Sequence, residues 1–449
     1  LKKLFFVVVV LLLGGLPLFA AVQNIRLRGD VAVHGVARWN YEEPLPAARV
    51  VGVPGGATEE GRNWLVSRVR LRTDVDMTDN VEATIRLLSK SRWGDVGVAD
   101  IGVDLAYVTL REMFFSPVTL RFGRQNIVLG EGFVLGQSGV DTALENRIPN
   151  LMGQIPVRRE GIDDIDVPIV RKSFDAITAT YSYEPYTIDL ILAMLDDESG
   201  DYKDAELYGI NIGYRLDNAE VEGYLLNVHD RTGGRPAVAP GVPRVVHRAV
   251  VGVRGSFEPA EFWLLKGEFA HQFGEEDHLV ARDMDIRAFA ANAAVEHTFN
   301  NEYEPKIGAA LAWFSGDDNP LDRRIEAWHP YFEDQTWGAI VDRIYGNSNL
   351  VATRLNGSMR PDRQTTLGAN WYHFWAHETP VGVNDKIGHE LNLYAEYVYT
   401  ENVSFRLLAA GFFPDDYVRD AYALVHGVPR GRVAPTDAYQ LVGSMILTF

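Results

Sequence analysis

From Asn24 onward the chain alternates apolar and polar residues with a period of two. In NIRLRGDVAVHGVARWN, one face carries Ile25, Leu27, Gly29, Val31, Val33, Gly35, Ala37 and Trp39. The other carries Arg26, Arg28, Asp30, Ala32, His34, Val36 and Arg38. An extended strand sends successive side chains to opposite faces, whereas a helix would mix the two sets. The run is also long. Strands in globular proteins usually reach about 5–6 residues, while a tilted strand crossing a bilayer needs about 9–11. The same reading predicts about 18 strands, beginning with 24–40, 63–77, 80–92, 102–112 and 117–135, resuming at 172–183 and ending with 438–449. In that last strand Tyr439, Leu441, Gly443, Met445, Leu447 and Phe449 make an almost wholly apolar face. Its other face, Gln440, Val442, Ser444, Ile446 and Thr448, is smaller and more polar.

The links between these segments alternate in length. Short ones, such as TDN near 78, SP near 116, EP at 184 and DN at 217, alternate with long ones at 41–62, 136–171, 230–245, 316–348, 377–387 and 414–437. A soluble sandwich has no reason to alternate in this way. An outer-membrane barrel does, with short periplasmic turns and long extracellular loops. The expected fold is therefore all-β: a transmembrane antiparallel β-barrel of about 18 strands, one domain spanning residues 22–449.

Composition narrows the picture. The mean hydropathy of −0.10 leaves no helical membrane bundle, but a barrel needs apolar residues at only half its positions. A net charge of −18 argues against a nucleic-acid partner, because phosphates must be met by excess Lys and Arg. With no cysteine, disulfides, thiolate metal sites and cysteine nucleophiles are excluded. The opening LKKLFFVVVVLLLGGLPLFAA has two lysines, a short apolar core and small residues, so residues 1–21 are expected to be a secretory signal peptide.

Four stretches together resemble the alginate export family of outer-membrane channels. They are LRFGRQNIVLGEGFVLG (120–136), RKSFDAI (171–177), FSGDDNPLD (314–322) and GHELNLYAEYVYTENVSFRLLAAGFFPDDY (388–417), in that order. The resemblance implies a monomeric barrel passing an anionic polysaccharide outward, supplied by a periplasmic polysaccharide-delivery protein. Phe449 resembles the terminal signature that the barrel assembly machinery recognises. The expected surroundings are outer-membrane lipid and lipopolysaccharide. The chain departs from the family pattern in a long insert, QSGVDTALENRIPNLMGQIPVRREGIDDIDVPIV, ahead of Arg171. Folded inward, that insert would narrow the pore and place Arg158 and Arg159 at a constriction; folded outward, it would be an external loop.

The candidate chemistry lies in the lumen. Period-two registers point Arg26, Arg28 and Arg38, then Arg68, Arg70 and Arg72, then Arg86, Lys90 and Arg92, and then Arg121 inward, with Gln125 on the same face. Arg406 on the penultimate strand extends the wall around the closed barrel. Such a wall would favour carboxylates and phosphates, each met by a planar guanidinium fork. Equally, Glu82, Asp74, Asp76, Asp104, Glu390 and Glu396 would pair with these cations and merely stiffen the barrel. Arg124 faces lipid in this register unless a bulge turns it inward. In SGDDNPLD, the oxygens of Asp317, Asp318, Asn319 and Asp322 suit a structural Ca²⁺, or else stabilise a turn. No other cofactor is expected. Acidic clusters in the long loops would repel a polyanion or hold divalent cations at the lipopolysaccharide surface. Ser138 in GQSG lacks an accompanying His and Asp arrangement, so no catalysis is expected. The expectation is a channel for an anionic saccharide. The alternatives are a general uptake porin for small anions and, in a different class, an outer-membrane enzyme or a plugged surface-binding barrel.

Overall fold

The computed structural model describes residues 22–40, 48–50, 62–94, 100–136, 173–195, 205–230, 246–276, 283–319, 321–330, 332–426 and 428–449. The expected signal peptide, the insert 137–170 with Arg158 and Arg159, and Ser138 lie outside the described residues. Among the described residues, eighteen long strands pair in chain order into one closed antiparallel barrel. They begin with β1 (Asn24–Trp39), β2 (Arg62–Thr78), β3 (Val81–Arg92), β4 (Asp100–Leu110) and β5 (Val118–Gln125). Next come β6 (Phe174–Tyr183), β7 (Tyr186–Leu195), β8 (Ala205–Arg215), β9 (Ala219–Asp230) and β10 (Val246–Phe257). The series continues with β11 (Trp263–Glu276), β12 (Met284–Thr298), β13 (Lys306–Phe314) and β14 (Leu350–Met359). It ends with β15 (Thr365–Ala376), β16 (Lys386–Thr400), β17 (Val403–Pro414) and β18 (Ala438–Thr448).

Closure follows from the solvent. Lipid offers no partner for a free N–H or C=O, so a spanning sheet must have no edge. Here β18 pairs with β1 from Asp30↔Thr448 to Trp39↔Tyr439. Gly29 and Phe449 add two backbone bonds of 2.8 and 3.0 Å. Only glycine suits that crossing, because a Cβ at Gly29 would lie 2.6 Å from the Phe449 ring.

The outer wall is layered as a bilayer requires. Exposed aliphatic residues such as Leu71, Ile85, Leu192, Ile212, Val251, Leu311 and Leu407 form its waist. Tyr183, Tyr186, Trp263, Tyr303 and Tyr399 ring the short-turn end, and Trp39, Trp93, Tyr208, Phe273 and Tyr439 ring the other. Aromatic side chains settle at both interfaces because one end is apolar and the other wet.

One predicted strand is corrected. The segment 117–135 was expected to run unbroken, but β5 stops at Gln125. Gly123 takes a φ of +116°, a conformation that L side chains rarely adopt, and the chain leaves the wall shortly after it. Residues 126–136 then fold inside, burying Phe133, Val134 and Leu135. Leu135 bridges to Phe332 within a second inward segment, residues 315–349, which contains the short helix α1 (Val341–Tyr345). A longer helix, α2 (Asp416–His426), follows β17. It lies beside a two-stranded ribbon formed by Ala48–Val50 and Val433–Pro435.

These segments build an apolar core inside the long-loop half of the barrel. Phe133, Trp328, Phe332, Trp337, Ile340, Ile344, Tyr345 and Tyr417 are all buried there. The wall makes room for them with small residues: Ala288, Ala290, Ala310 and Ala312 point inward and are buried. Among the described residues, the opposite arc, β1 to β4 with the adjoining β18, carries a small apolar cluster of Val36, Trp64, Val66 and Val442. Charged side chains cover the rest of it.

Candidate functional site

The site is the inner face of β1 to β4, extended across β18 to Arg406 on β17. Alternation places it: in β2, Leu65, Val69 and Leu71 are exposed on the outer wall, so Arg68, Arg70 and Arg72 must face in. Register then aligns the strands. Arg28 stands opposite Arg72, and Arg72 opposite Arg86, so three arginines lie in one row across β1, β2 and β3. Lys90 stands opposite Arg68.

A row of like charges is unfavourable unless it is offset. Asp74 supplies the offset. It accepts from Arg28 at 2.5 Å, from the Arg72 Nε at 2.9 and 3.0 Å, and from the Thr84 hydroxyl at 2.7 Å. Asp30 holds Arg68 at 2.9 Å and Arg70 at 2.5 Å. Asp104 holds Arg86 at 2.5 Å and takes a further bond from Ser173. Nearer the short-turn end, Arg26 meets Asp76 at 3.0 Å, and Arg111 meets Glu82. Arg406 bonds Glu396 at 3.0 Å.

These pairs are not symmetric. The Asp74 side chain is 0% exposed while that of Arg28 is 58% exposed and that of Arg72 30%. Asp30 is 11% exposed and Arg70 28%. Arg26, Arg111 and Arg406 are likewise more open than their carboxylates. The acids lie beneath and the guanidinium groups lie on top, so the surface offered to the lumen is cationic despite the pairing.

Several predicted residues sit elsewhere in this arrangement. Arg68 and Arg86 are mostly covered, at 10% and 14% side-chain exposure. Arg121 lies over the Tyr107 ring at 4.8 Å, a cation–π contact. Gln125 is fully buried; its amide bonds the carbonyls of Arg121, Gly123 and Ala176 and accepts from Thr178, so it knits β5 to β6. Arg124 does not turn inward. It stays on the outer wall in a two-bond pair with Asp175, both bonds 2.9 Å. Glu390 does not neutralise an arginine of the arc. Fully buried on β16, it accepts from the backbone N–H groups of Ala339, Ile340 and Val341 and so pins the segment 315–349 to the wall.

That inward segment is what sequence reading missed. Its signal was present: a 33-residue link carrying Trp328, Trp337, Ile340, Val341 and Ile344 is too apolar to remain in water. Across the lumen from the arc, charges point at this filling. Arg254 pairs with Glu222, Tyr224 donates to Glu268 at 2.7 Å, and Lys266 meets Glu131 of the segment 126–136 at 2.5 Å.

The predicted cation site changes membership. Asp317, Asp318 and Glu326 bring carboxylate oxygens within 4.8 Å of one another. Asn319 and Asp322 instead cap turns, accepting from the backbone N–H groups of Leu321 at 3.3 Å and Arg324 at 2.7 Å. Burial pushes the Asp317 carboxyl above its ordinary range, and the charges of Asp322 and Asp318 add to the shift. Glu326 is raised in the same way, first by burial and then by Asp318. Three carboxylates so close suit a hard divalent cation such as Ca²⁺. They lie in the first part of the link after β13, which pairs with the wall through Arg324 and Ile325 before the chain turns inward near Trp328, beside a cavity of about 680 Å³ on the outer face next to His271, Phe289 and Trp313.

A closed barrel with an apolar waist, two aromatic rings and a charged lumen is a porin-like channel of the outer membrane. The sequence matches the family model "Alginate export" over residues 57–425. The chain therefore belongs to the alginate export family. Solved structures agree on the fold. Pseudomonas aeruginosa OpdL aligns with a TM-score of 0.57 at 12% identity, covering 95% of this chain and 99% of that one. Pseudomonas aeruginosa OccK8 (OprE) gives 0.56 at 10% identity, with 95% and 99% covered. A BenF-like porin from Pseudomonas fluorescens Pf-5 gives 0.54 at 12% identity, with 95% and 100% covered. A search of curated proteins finds no match.

Proposed function

We propose that the protein conducts an anionic, carboxylate-bearing saccharide, in the fullest form a polyuronate strand, along the arginine arc. The observation that carries this reading is the stacking in the pairs of Arg28, Arg70 and Arg72: carboxylate buried, guanidinium open to the lumen. A passing carboxylate meets Arg28, Arg70, Arg72, Arg26 and Arg406 as successive weak sites and never a deep one. Each guanidinium already bonds an acid beneath it, so the anion is held loosely and is released to the next. The apolar filling on the far side presses the aqueous path against this arc. The role requires no chemical step. The family is named for alginate export, and one structural neighbour is a BenF-like porin.

A second reading, uptake of small anions, draws support from the porin neighbours. Conductance separates both readings from a structural role. In planar bilayers under a salt gradient, the protein should prefer anions, and the triple variant Arg28→Ser/Arg70→Ser/Arg72→Ser should lose most of that preference. Cation preference in the parent protein, or an unchanged reversal potential in the variant, would sink the anionic cargo. Uronate oligomers of increasing length then divide the two uses. Block that strengthens with length supports a polymer path, and block by monomers alone supports small-anion uptake.

A further inference from the structure

The outer wall carries a constellation that the channel reading does not use. On β9 and β10, His229 and His247 stand directly opposite one another. Their Nδ1 atoms are 2.7 Å apart and their ring centroids 4.1 Å apart. Both rings are outside the barrel, because their neighbours Val228, Asp230, Val246 and Arg248 are buried on the inner side. Glu206 on β8 is the register partner of His229, and Glu275 on β11 is that of His247. Four adjacent strands thus present the row Glu206–His229–His247–Glu275. Tyr208 and Phe273, two residues lower on β8 and β11, belong to the aromatic ring of that end, so the row sits just above the apolar waist.

We propose that His229 and His247 form a two-nitrogen binding site for a divalent transition-metal cation, Cu²⁺ above Zn²⁺, with Glu206 and Glu275 on the flanking strands as nearby negative charges rather than ligands. Two imidazole nitrogens this close share one proton when neutral and repel one another when both are charged. A metal replaces the shared proton and binds both nitrogens, releasing that proton to solvent. Nitrogens bound at about 2.0 Å stand roughly 2.9 Å apart at the right angle of tetragonal Cu²⁺, and roughly 3.3 Å apart in a tetrahedral Zn²⁺ site. The observed 2.7 Å is nearer the first. Cross-strand neighbours have Cβ atoms about 5 Å apart, so the two carboxylates add negative charge beside the bound cation from the outer shell. Glu206 has one oxygen engaged by the Tyr208 hydroxyl at 2.5 Å, which orients the carboxylate.

A second register pair, His373 and His389 on β15 and β16, supplies an internal control. There His373 lies against Trp375 and His389 stacks on Phe413. The experiment uses tag-free full-length protein, refolded in detergent, stripped with EDTA and titrated with Cu²⁺ under electron paramagnetic resonance. The expected result is one tight Cu²⁺ per chain with hyperfine splitting from two nitrogens. His247→Ala and His229→Ala should each abolish it, and Glu275→Gln should weaken it about tenfold. His373→Ala/His389→Ala should leave it intact. Heat-modifiable gel mobility confirms the fold of every variant. Unchanged Cu²⁺ binding in His247→Ala, a spectrum without two-nitrogen coupling, or loss that follows the His373/His389 variant overturns the assignment.

Discussion

Two halves of one lumen solve opposite problems. Along β1 to β4 the wall keeps charges in water, with Arg28, Arg70 and Arg72 propped open by buried acids. Along β12 to β16 the wall is made small and apolar and is covered by Phe133, Trp328, Trp337 and Tyr345. The first half resists collapse because like charges stand in register; the second is collapsed. Pore shape is therefore a contrast between a repelling arc and a cohesive filling. A charge placed within the filling would be desolvated and costly, while an apolar residue in the arc would leave a gap in the cationic track.

The sharpest way to break the contrast is at Glu390, which alone caps three backbone N–H groups of the filling. Bonds to a charged acceptor are each worth about 1.5–3 kcal/mol. Glu390→Ala should therefore loosen the segment 315–349, giving a larger and noisier single-channel conductance. A quiet, unchanged conductance would show that apolar packing seats the segment without the carboxylate. Next in size is Asp74→Asn, which removes the acid beneath Arg28 and Arg72. Stability in a urea titration from lipid vesicles should fall by about 3 kcal/mol, while anion preference rises. A fall in both would mean that Asp74 orients the arginines more than it offsets them.

The triple arginine variant comes third. A charge about 8 Å from a passing carboxylate in water is worth about 0.5 kcal/mol, so three together shift anion preference several-fold, and less as salt rises. Lys266→Ser on the opposite wall, where the ammonium points at Glu131, should leave the reversal potential unchanged. The smallest effect concerns pH. Asp317 and Glu326 hold their protons to higher pH in the folded loop than when unfolded. The native state then binds more protons across that window, so stability falls as pH rises through it. Melting followed by the gel-mobility shift as pH is raised from about 4, the ordinary carboxylate value, should show this slope, and Asp318→Asn should flatten it.

The wall was legible in the sequence because lipid and water together impose a period of two. All eighteen barrel strands lie where alternation and link length predict them, apart from the early end of β5. That exception had a local cause, the positive φ of Gly123, which alternation does not encode. The inward direction of Arg68, Arg70 and Arg72 was readable for the same reason. Their relative exposure was not, because it depends on which acid of a neighbouring strand comes within reach: Asp30 directly opposite Arg70, and Asp74 diagonally across from Arg28. The filling was the least readable. Its apolar residues follow no single period, and their destination is set by the alanines of distant strands β12 and β13.

The junction of wall and filling divides the molecule in two. The wall is continuous around its circumference, and a one-residue slip in any strand would turn a whole face from lipid to lumen. The filling is moored to it by apolar surfaces and a few side-chain bonds, among them Glu390 to three backbone N–H groups, Gln272 to His329 and Lys266 to Glu131. Substitutions in 315–349 can resize the bore without disturbing a single strand register. The bore and the barrel wall can therefore be altered separately.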